Sequence, residues 1–224
     1  MSLKNLTAVI AAAGIGKRVG ADIPKQYLPL LGKTIIEHSL QPFLEHPSIN
    51  QVVVSIAKND IWFKELPIAI HPKVRIVFGG KERVDSVLSA LKTIPDDHYV
   101  LVHDAARPCI KASDINKLIA KVLASKQGGI LASRVIDTMK RSYPDNKIKK
   151  TVSRENLWHA LTPQMFENKK LISAIESAEC TQDITDEASA MEMAGIAVNL
   201  IEGRRDNLKV TRVEDLKLAE LYLA

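Results

Sequence analysis

The segment LTAVIAAAGIGKRVG, residues 6–20, joins a short apolar run directly to a glycine-rich turn. Continuous apolar character over residues 6–12 is typical of a strand buried on both faces of a parallel sheet. The small residues that follow let backbone N–H groups approach a polyphosphate, because no bulky side chain stands in the way. The segment therefore predicts a strand followed by a phosphate-binding loop, with these candidate nucleotide-binding residues: Ala12, Ala13, Gly14 and Gly16.

This loop matches neither of two common nucleotide-binding motifs. It reads GxGxxxG where the dinucleotide fingerprint has GxGxxG, and no acidic residue ends the next expected strand. It is not a Walker A motif either, because Arg18 follows Gly16 and Lys17. Three cations, Lys17, Arg18 and Lys25, lie close to where phosphates would bind. Their spacing favours a phosphate-binding role over a purely structural turn.

Strand and helix patterns alternate from the start of the chain. The expected strands are Leu6–Ala12, Gln51–Ile56, Val74–Phe78 and Tyr99–Val102, and the expected helices are Thr34–Glu45, Arg83–Lys92 and Ser113–Lys126. Thr34 and Glu37 have the spacing of a capping box. This order predicts a doubly wound, mostly parallel α/β sheet of Rossmann-like type, in which ligands bind beyond the carboxyl ends of the strands.

Two segments follow predicted strands at that edge. Asp104 comes directly after the fourth strand, where a carboxylate could hold Mg²⁺ against phosphate oxygens, although a helix cap or a turn is the alternative for Asp104 taken alone. After the third strand, Gly79 and Gly80 precede Arg83 and Ser86. These four residues are candidates for gripping a base or ribose, and a plain turn would explain the two glycines almost as well.

Residues 134–155 break the alternation and predict a β-hairpin arm with a turn near Pro144. The arm holds seven basic and three acidic residues, a net charge of +4. An isolated two-stranded hairpin is marginally stable in water, so we expect the arm to pack on another surface.

The rest of the chain is expected to contain a strand at 157–161, a helix near 167–177, a helix capped by Thr185, a strand at 197–201 and a helix from Arg212, capped by Thr211 and Glu214. We expect a single domain over 1–224, with 134–155 as an excursion.

Composition limits the class of protein. The 224 residues are 46% hydrophobic and 25% charged, with a net charge of +5. No segment approaches the length and apolar character of a membrane span, so we expect a soluble, cytoplasmic protein that binds no membrane. Aromatic residues make up only 4% and do not alternate with the basic ones, which disfavours nucleic-acid binding. Cys109 and Cys180 lack the spacing of a zinc site or a disulfide framework.

Several motifs together resemble a known family. AAAGIGKRVG followed by PKQY resembles the nucleotidyltransferases that activate sugars and sugar alcohols. Further segments resemble the 2-C-methyl-D-erythritol 4-phosphate cytidylyltransferases of non-mevalonate isoprenoid biosynthesis: HDAARP at 103–108, DTMKR at 137–141, LWHALTPQ at 157–164, TDEAS at 185–189 and GRRDNLKVT at 203–211. The match runs in order along the chain. Departures are small: Val19 stands where relatives often have methionine, and Lys17 where many have arginine.

The resemblance implies a transfer of CMP from CTP to the polyol phosphate, with release of pyrophosphate and Mg²⁺ as cofactor. The implied catalytic residues are Arg18, Lys25, Arg154 and Lys209. The nucleotide would contact these residues: Ala12, Ala13, Gly14, Gly16, Gly79, Gly80, Arg83, Ser86, Asp104 and Ala105. The implied second-substrate residues are Arg107, Thr138, Arg154, Thr185, Asp206 and Lys209. In the family the arm embraces a partner subunit, so a homodimer is expected, with Thr138 and Arg154 completing the neighbouring site.

Two alternatives stay open on the sequence. A cytidylyltransferase that uses ribitol 5-phosphate or a related polyol phosphate would keep almost the same nucleotide motifs, although DTMKR and TDEAS favour methylerythritol phosphate. A nucleotide- or RNA-binding scaffold without catalysis would keep the fold. The presence of Arg18, Lys25 and Asp104 together disfavours the scaffold, because binding alone does not require a metal carboxylate opposite paired cations.

Overall fold

A computed structural model describes residues 5–14 and 23–224 of the chain. The strands in these residues are β1 (Leu6–Ala11), β2 (Pro29–Leu30), β3 (Lys33–Thr34), β4 (Ile49–Ile56), β5 (Val74–Phe78), β6 (Tyr99–Asp104), β7 (Gly129–Arg134), β8 (Met139–Ser142), β9 (Ile148–Val152), β10 (Trp158–Glu167) and β11 (Asn199–Glu202). The α-helices are α1 (Ile35–Leu44), α2 (Arg83–Leu91), α3 (Ala112–Ser125), α4 (Asn168–Glu176), α5 (Glu187–Met193) and α6 (Glu214–Leu223). Short 3₁₀ helices cover Lys25–Tyr27, Phe63–Glu65, Pro67–Ile70 and Thr181–Asp183. Within this described part, no helix has the length and apolar character that crossing a bilayer requires.

One seven-stranded sheet forms the centre of the fold, in the order β5–β4–β1–β6–β10–β7–β11. Strand β1 lies parallel between β4 and β6, and β10 runs antiparallel to both of its neighbours. The other six strands therefore share one direction, and the prediction of a mostly parallel α/β sheet is confirmed. Chain order reverses beside β1, the kind of position where open α/β sheets bind ligands.

Helices cover both faces of this sheet. An apolar cluster lies on each face of the sheet, and the side chains of β1 alternate between them. Leu6, Ala8 and Ile10 pack in the first cluster and Val9 packs in the second. Helices α1 and α3 contribute to the first cluster, whereas α2, α4 and α5 contribute to the second. Burial on both faces explains why residues 6–11 form a continuous apolar run instead of an alternating one.

The predicted boundaries in the first half of the chain are correct to within two residues. Helix α1 has the expected capping box, in which Glu37 N donates to Thr34 Oγ1 and Thr34 N donates to Glu37 Oε2 at 2.8 Å. The predicted cap at Thr185 is wrong. Helix α5 is capped by Asp186, whose side chain accepts from Ser189 N, while Ser189 Oγ accepts from the backbone of Thr185.

The start of the last helix also differs from the prediction. Helix α6 begins at Glu214, and no capping box joins Thr211 to Glu214. Instead, the Asp215 carboxylate accepts from the backbone N–H groups of Thr211 (2.7 Å) and Arg212 (2.9 Å). Those bonds hold the chain outside the helix for two residues longer than expected.

The arm and the strands around it were predicted unevenly. Strands β8 and β9 form the expected hairpin as a separate two-stranded sheet, and Asn146 N donates to Tyr143 O across its turn. Strand β7 was not predicted, and the strand expected at 157–161 extends to Glu167 as β10. The division of the chain into one domain with an excursion stays a prediction.

Candidate active site

A cavity of about 240 Å³ lies at the carboxyl edge of the sheet. Its walls come from residues 11–14 at the end of β1, from 80–83 after β5 and from 104–106 at the end of β6. Ser86, Lys25, Gln26 and Lys209 complete the lining. The three strand ends share one edge because β1, β5 and β6 run in the same direction.

Asp104 is the buried carboxylate of this cavity, with its side chain 9% exposed. Its Oδ1 accepts from Arg83 Nε at 3.1 Å. Its Oδ2 lies 2.8 Å from Lys209 Nζ and 3.5 Å from Arg107 Nε. Burial alone would raise the pKa of Asp104, but the positive charges of Arg83, Lys209 and Arg107 outweigh burial and hold that pKa far below its usual range. Asp104 is therefore ionised at any physiological pH.

Arg83 joins Asp104 to a second buried carboxylate, Glu187. Arg83 Nη1 and Nη2 donate to Glu187 Oε1 and Oε2 at 2.6 and 3.1 Å, while Nε donates to Asp104. Burial would lower the pKa of Arg83, but the charges of Glu187 and Asp104 raise it above its ordinary value. A guanidinium held by two carboxylates in this way has one orientation.

The 3₁₀ turn Lys25–Tyr27 is fixed to the strand ends by its own side chains. Gln26 Nε2 donates to Ala12 O at 2.9 Å and Gly14 O at 3.2 Å, so it holds the backbone of the loop that follows β1. Tyr27 donates its hydroxyl to Asp60 Oδ2 at 2.6 Å. Lys25 Nζ donates to Val210 O at 3.0 Å. This turn therefore ties the loop after β1 to the segment that carries Lys209.

Gly79 allows two segments to approach each other beneath the cavity. A Cβ at Gly79 would lie only 2.6 Å from Ala13 Cβ and 2.6 Å from Ser86 Oγ. Ser86 Oγ accepts from Gly80 N at 3.2 Å and donates to Glu82 O at 3.0 Å, which shapes the turn after β5. Gly79 is thus required by packing, and Gly80 and Ser86 line the cavity itself.

The segment with Lys209 is bound to the turn after β6. Arg107 Nη1 donates to Asn207 O at 2.8 Å, and Val210 N donates to Ala106 O at 2.8 Å. Asn207 Nδ2 donates to Thr162 O at 2.7 Å. Arg107, which is 8% exposed, therefore positions both Asp104 and the backbone of this segment.

The structure brings most of the predicted nucleotide residues together. Lys25 and Lys209 line the cavity with Ala12, Ala13, Gly14, Gly80, Arg83, Ser86, Asp104 and Ala105. Gly16 and Arg18 lie outside the described residues. Five predicted second-substrate residues do not line the cavity: Arg107, which contacts Asp104 from outside the lining, and four others, Thr138, Arg154, Thr185 and Asp206.

Those four residues lie in segments beyond the cavity. Thr138 and Arg154 are exposed at the base of the hairpin, where Arg154 Nη1 donates to Ile136 O. Thr185 is exposed before α5, and Asp206 forms an ion pair with Arg204. Their roles in binding a second substrate stay predictions.

Besides the lining residues Lys81, Glu82 and Ala106, two residues that hold the site together were missed from the sequence, Gln26 and Glu187. Both lie inside quoted motifs, PKQY and TDEAS, so the motifs themselves were a signal. Their functions depend on partners far along the chain: Glu187 pairs with Arg83 across 104 positions. No local pattern indicates such a pair.

Comparison with known proteins agrees with this geometry. A family model described as IspD, 2-C-methyl-D-erythritol 4-phosphate cytidylyltransferase, matches residues 6–224. The chain belongs to this family. It is 55% identical to the 2-C-methyl-D-erythritol 4-phosphate cytidylyltransferase of Aeromonas hydrophila subsp. hydrophila, covering 97% of this chain and 89% of the relative. It is 54% identical to the enzyme of that name from Shewanella amazonensis, covering 98% and 93%.

A solved structure of a family member has a similar fold. The crystal structure of the Francisella tularensis 2-C-methyl-D-erythritol 4-phosphate cytidylyltransferase is similar with a TM-score of 0.84 and 37% identity, covering 97% of this chain and 99% of that one. The family expected from the motifs is confirmed. Neither the ribitol 5-phosphate alternative nor the scaffold without catalysis is favoured by these comparisons.

His103 precedes Asp104 and has a structural task in this family member. His103 Nε2 lies 3.1 Å from Arg107 O, which can only accept, so Nε2 carries the proton of the neutral imidazole and donates it. Nδ1 is then an acceptor, and the Thr162 hydroxyl, which accepts from Asp104 N at 3.2 Å, donates to it at 2.9 Å. Burial lowers the pKa of His103 from 6.5 to about 4, although Asp104 acts in the opposite direction. The imidazole is neutral at pH 7.

We expect stability to fall as the pH drops below the unfolded-state pKa of His103. Between pH 6.5 and about 4 the unfolded chain binds a proton that the folded protein does not, so unfolding becomes easier as pH falls. This proton uptake lowers the free energy of unfolding by about 3 kcal/mol when it is complete and by about 2 kcal/mol at pH 5. Urea unfolding at pH 7 and pH 5 measures it. His103→Gln should lose this component, and an equal pH dependence in both proteins would contradict the assignment.

Proposed function

We propose that this chain transfers CMP from CTP to 2-C-methyl-D-erythritol 4-phosphate, giving 4-diphosphocytidyl-2-C-methyl-D-erythritol and pyrophosphate. The observation that carries the proposal is the cavity in which Lys25, Lys209 and Arg83 converge beside a small-residue loop and the ionised Asp104. Membership of the cytidylyltransferase family supports the same reaction. The product belongs to non-mevalonate isoprenoid biosynthesis.

The chemistry needs charge stabilisation more than proton transfer. A phosphate monoester has a second pKa near 6, so its oxygen attacks as a dianion at neutral pH without a general base. His103, the titratable residue next to the cavity carboxylate, is buried and neutral, and both of its ring nitrogens are engaged, one by Arg107 O and the other by the Thr162 hydroxyl. Lys25 and Lys209 would stabilise negative charge that develops on the α-phosphate and on the leaving pyrophosphate. Arg18 is proposed for the same task.

Asp104 fits Mg²⁺ as a single carboxylate ligand. Among residues 5–14 and 23–224, no group of three or more acidic, histidine or cysteine side chains could hold a metal by itself. One ionised carboxylate at the cavity wall suits an ion whose other ligands are phosphate oxygens and water. Mg²⁺ would neutralise triphosphate charge there, and Lys209 Nζ, 2.8 Å from Oδ2, is the neighbour that would share or leave this oxygen.

We also propose a homodimer in which the arm completes the partner's site. Among the residues that the structure describes, strands β8 and β9 pair with each other and with no other strand, and Ile136, Tyr143 and Ile148 in this arm are 48%, 49% and 65% exposed. Burying those side chains against a second copy would stabilise a hairpin that is marginal alone. Thr138 and Arg154 would then bind the polyol phosphate in the partner's site, with Arg107, Thr185 and Asp206 of that site. A cytoplasmic location stays a prediction from the sequence.

The reaction is tested by release of pyrophosphate from CTP. We expect release with MgCl₂ and 2-C-methyl-D-erythritol 4-phosphate, and at least about tenfold lower kcat/KM with ribitol 5-phosphate, because the second-substrate residues would fit the branched polyol. A coupled pyrophosphate assay with each acceptor measures both rates. Faster turnover of the ribitol compound would overturn the assigned acceptor, and no release with either would overturn the transfer itself.

Lys25→Ala should lower kcat on the order of 10²-fold or more, about 3 kcal/mol in transition-state stabilisation. The reason is that Lys25 lines the cavity, and its ammonium group would oppose charge that grows on the transferred phosphate. Steady-state assays with saturating substrates measure kcat. Lys64→Ala, at an exposed position, is the matched control and should retain full activity. Near-normal kcat of Lys25→Ala would contradict the proposal that Lys25 stabilises charge on the transferred phosphate.

Mixing two inactive variants tests the shared site. Arg154→Ala and Lys25→Ala chains should each be weak alone, whereas heterodimers should recover about half of the activity, because one of their two sites keeps both residues. Differently tagged chains, purified together, supply verified heterodimers for the assay. Heterodimers without any recovered activity would show that Arg154 does not act in the neighbouring site.

A further inference from the structure

Glu187 is a buried acid to which the proposed reaction assigns no task. It is the first residue of α5, its side chain is 3% exposed, and both of its oxygens accept from Arg83. A lone buried carboxylate would be costly, and replacing a buried pair by apolar residues is often neutral for stability. The fold alone therefore gives little reason for an ion pair at this position.

The geometry of Arg83 relates Glu187 to the cavity. With Nη1 and Nη2 held by Glu187, Arg83 has its Nε for Asp104, at 3.1 Å from Oδ1. Asp104 Oδ2 is then left to Lys209 Nζ at 2.8 Å and to Arg107. The bidentate pair thus fixes which oxygen of Asp104 receives Arg83 and which one receives Lys209.

Glu187 is itself held firmly. Gln164, on β10, donates from Nε2 to Asp186 Oδ2 at 2.8 Å and accepts at Oε1 from Ala188 N at 2.8 Å. These two bonds flank Glu187 on both sides and attach the start of α5 to the central sheet. Gln164 is buried, 1% exposed, so its side-chain amide is shielded from competing water.

We propose that Glu187 is a positioning residue for the nucleotide site: it clamps the Arg83 guanidinium so that Asp104 keeps Oδ2 for Lys209 and for the phosphate-bound cation. This inference rests on the proposed function in that the ligand of the cavity is CTP. Glu187 touches no substrate. Its effect passes through Arg83 to Asp104.

The expected consequence follows from charge. Glu187→Gln keeps the size of the side chain but removes the negative charge that compensates Arg83. The guanidinium then turns toward Asp104, the remaining carboxylate, and draws Oδ2 away from Lys209. We expect the Kd for CTP, measured calorimetrically with MgCl₂ and without acceptor, to rise about tenfold or more, equivalent to about 1.4 kcal/mol.

A double-mutant cycle separates positioning from general destabilisation. Asp104→Asn should weaken CTP binding by itself, and Glu187→Gln should then add little, because its route through Asp104 is already lost. Additive losses would overturn the proposal, as would an unchanged Kd in a folded Glu187→Gln protein. Glu176→Gln is the matched control: it removes the carboxylate of an exposed pair with Lys92 and should leave the Kd unchanged.

A second variant covers the case in which Glu187→Gln does not fold. Glu187→Asp keeps the buried negative charge beside Arg83 and should therefore fold, but its side chain is one methylene too short to keep the two-pronged contact with Nη1 and Nη2. CTP affinity should nevertheless stay at least about tenfold weaker, and parental affinity would overturn the proposal. Because binding is measured without acceptor, a protein that binds CTP but transfers nothing would refute the proposed reaction without affecting this comparison.

Discussion

The ionised Asp104 is the constraint on which the rest of the cavity depends. A buried carboxylate is strongly unfavourable without compensation, and here three cations from three different segments provide it. Arg83 comes from α2, Arg107 from the turn after β6, and Lys209 from the segment before α6. The charge of Asp104 therefore links α2, the turn after β6 and the segment before α6 at one point. The resulting arrangement holds positive groups at the strand ends before any ligand binds.

Neutral hydrogen bonds fix the geometry that the charges alone would leave free. Coulombic attraction has weak directionality, so three cations could surround a carboxylate in many ways. Beneath Asp104, the Thr162 hydroxyl accepts from the Asp104 backbone and donates to the neutral imidazole of His103. Asn207 adds a bond from the Lys209 segment to Thr162 O. These directional bonds give the charged groups one orientation, and they require an uncharged His103.

Much of the fold could be predicted from the sequence, because the signals involved are local. Apolar runs gave β1, β4, β5 and β6 nearly to the residue, and Thr34 with Glu37 gave the cap of α1. The direction of β10 could not be predicted, because an apolar strand has the same pattern whether it runs parallel or antiparallel. The predicted cap of α6 was also wrong, because acidic residues stand both three and four positions after Thr211. In the structure Thr211 bonds to the second of them, Asp215.

The residues of the candidate site also divide into those with a local sequence signal and those without one. Residues next to the ends of strands, such as Gly80 and Asp104, could be placed at the cavity because the topology of a parallel sheet puts them there. Glu187 could not, because its contact with Arg83 depends on how α5 packs beside α2. A glycine at position 79 could be predicted to matter either for binding the nucleotide or for forming a turn. Ala13 and Ser86 both lie so close to Gly79 that packing is sufficient to explain the glycine.

The charges around the cavity do not cancel, and their unequal exposure gives them different tasks. Asp104 and Glu187 oppose Arg83, Arg107 and Lys209, which leaves one positive charge in excess, and Lys25 lies on the same wall. The Arg107 side chain is only 10% exposed and is bound to backbone, whereas that of Lys209 is 40% exposed. Moving Lys209 away from Asp104 therefore disturbs less packing than moving Arg107. Under the proposed function, the arginines keep the carboxylate in place, and Lys209 is the cation that can turn to an incoming phosphate.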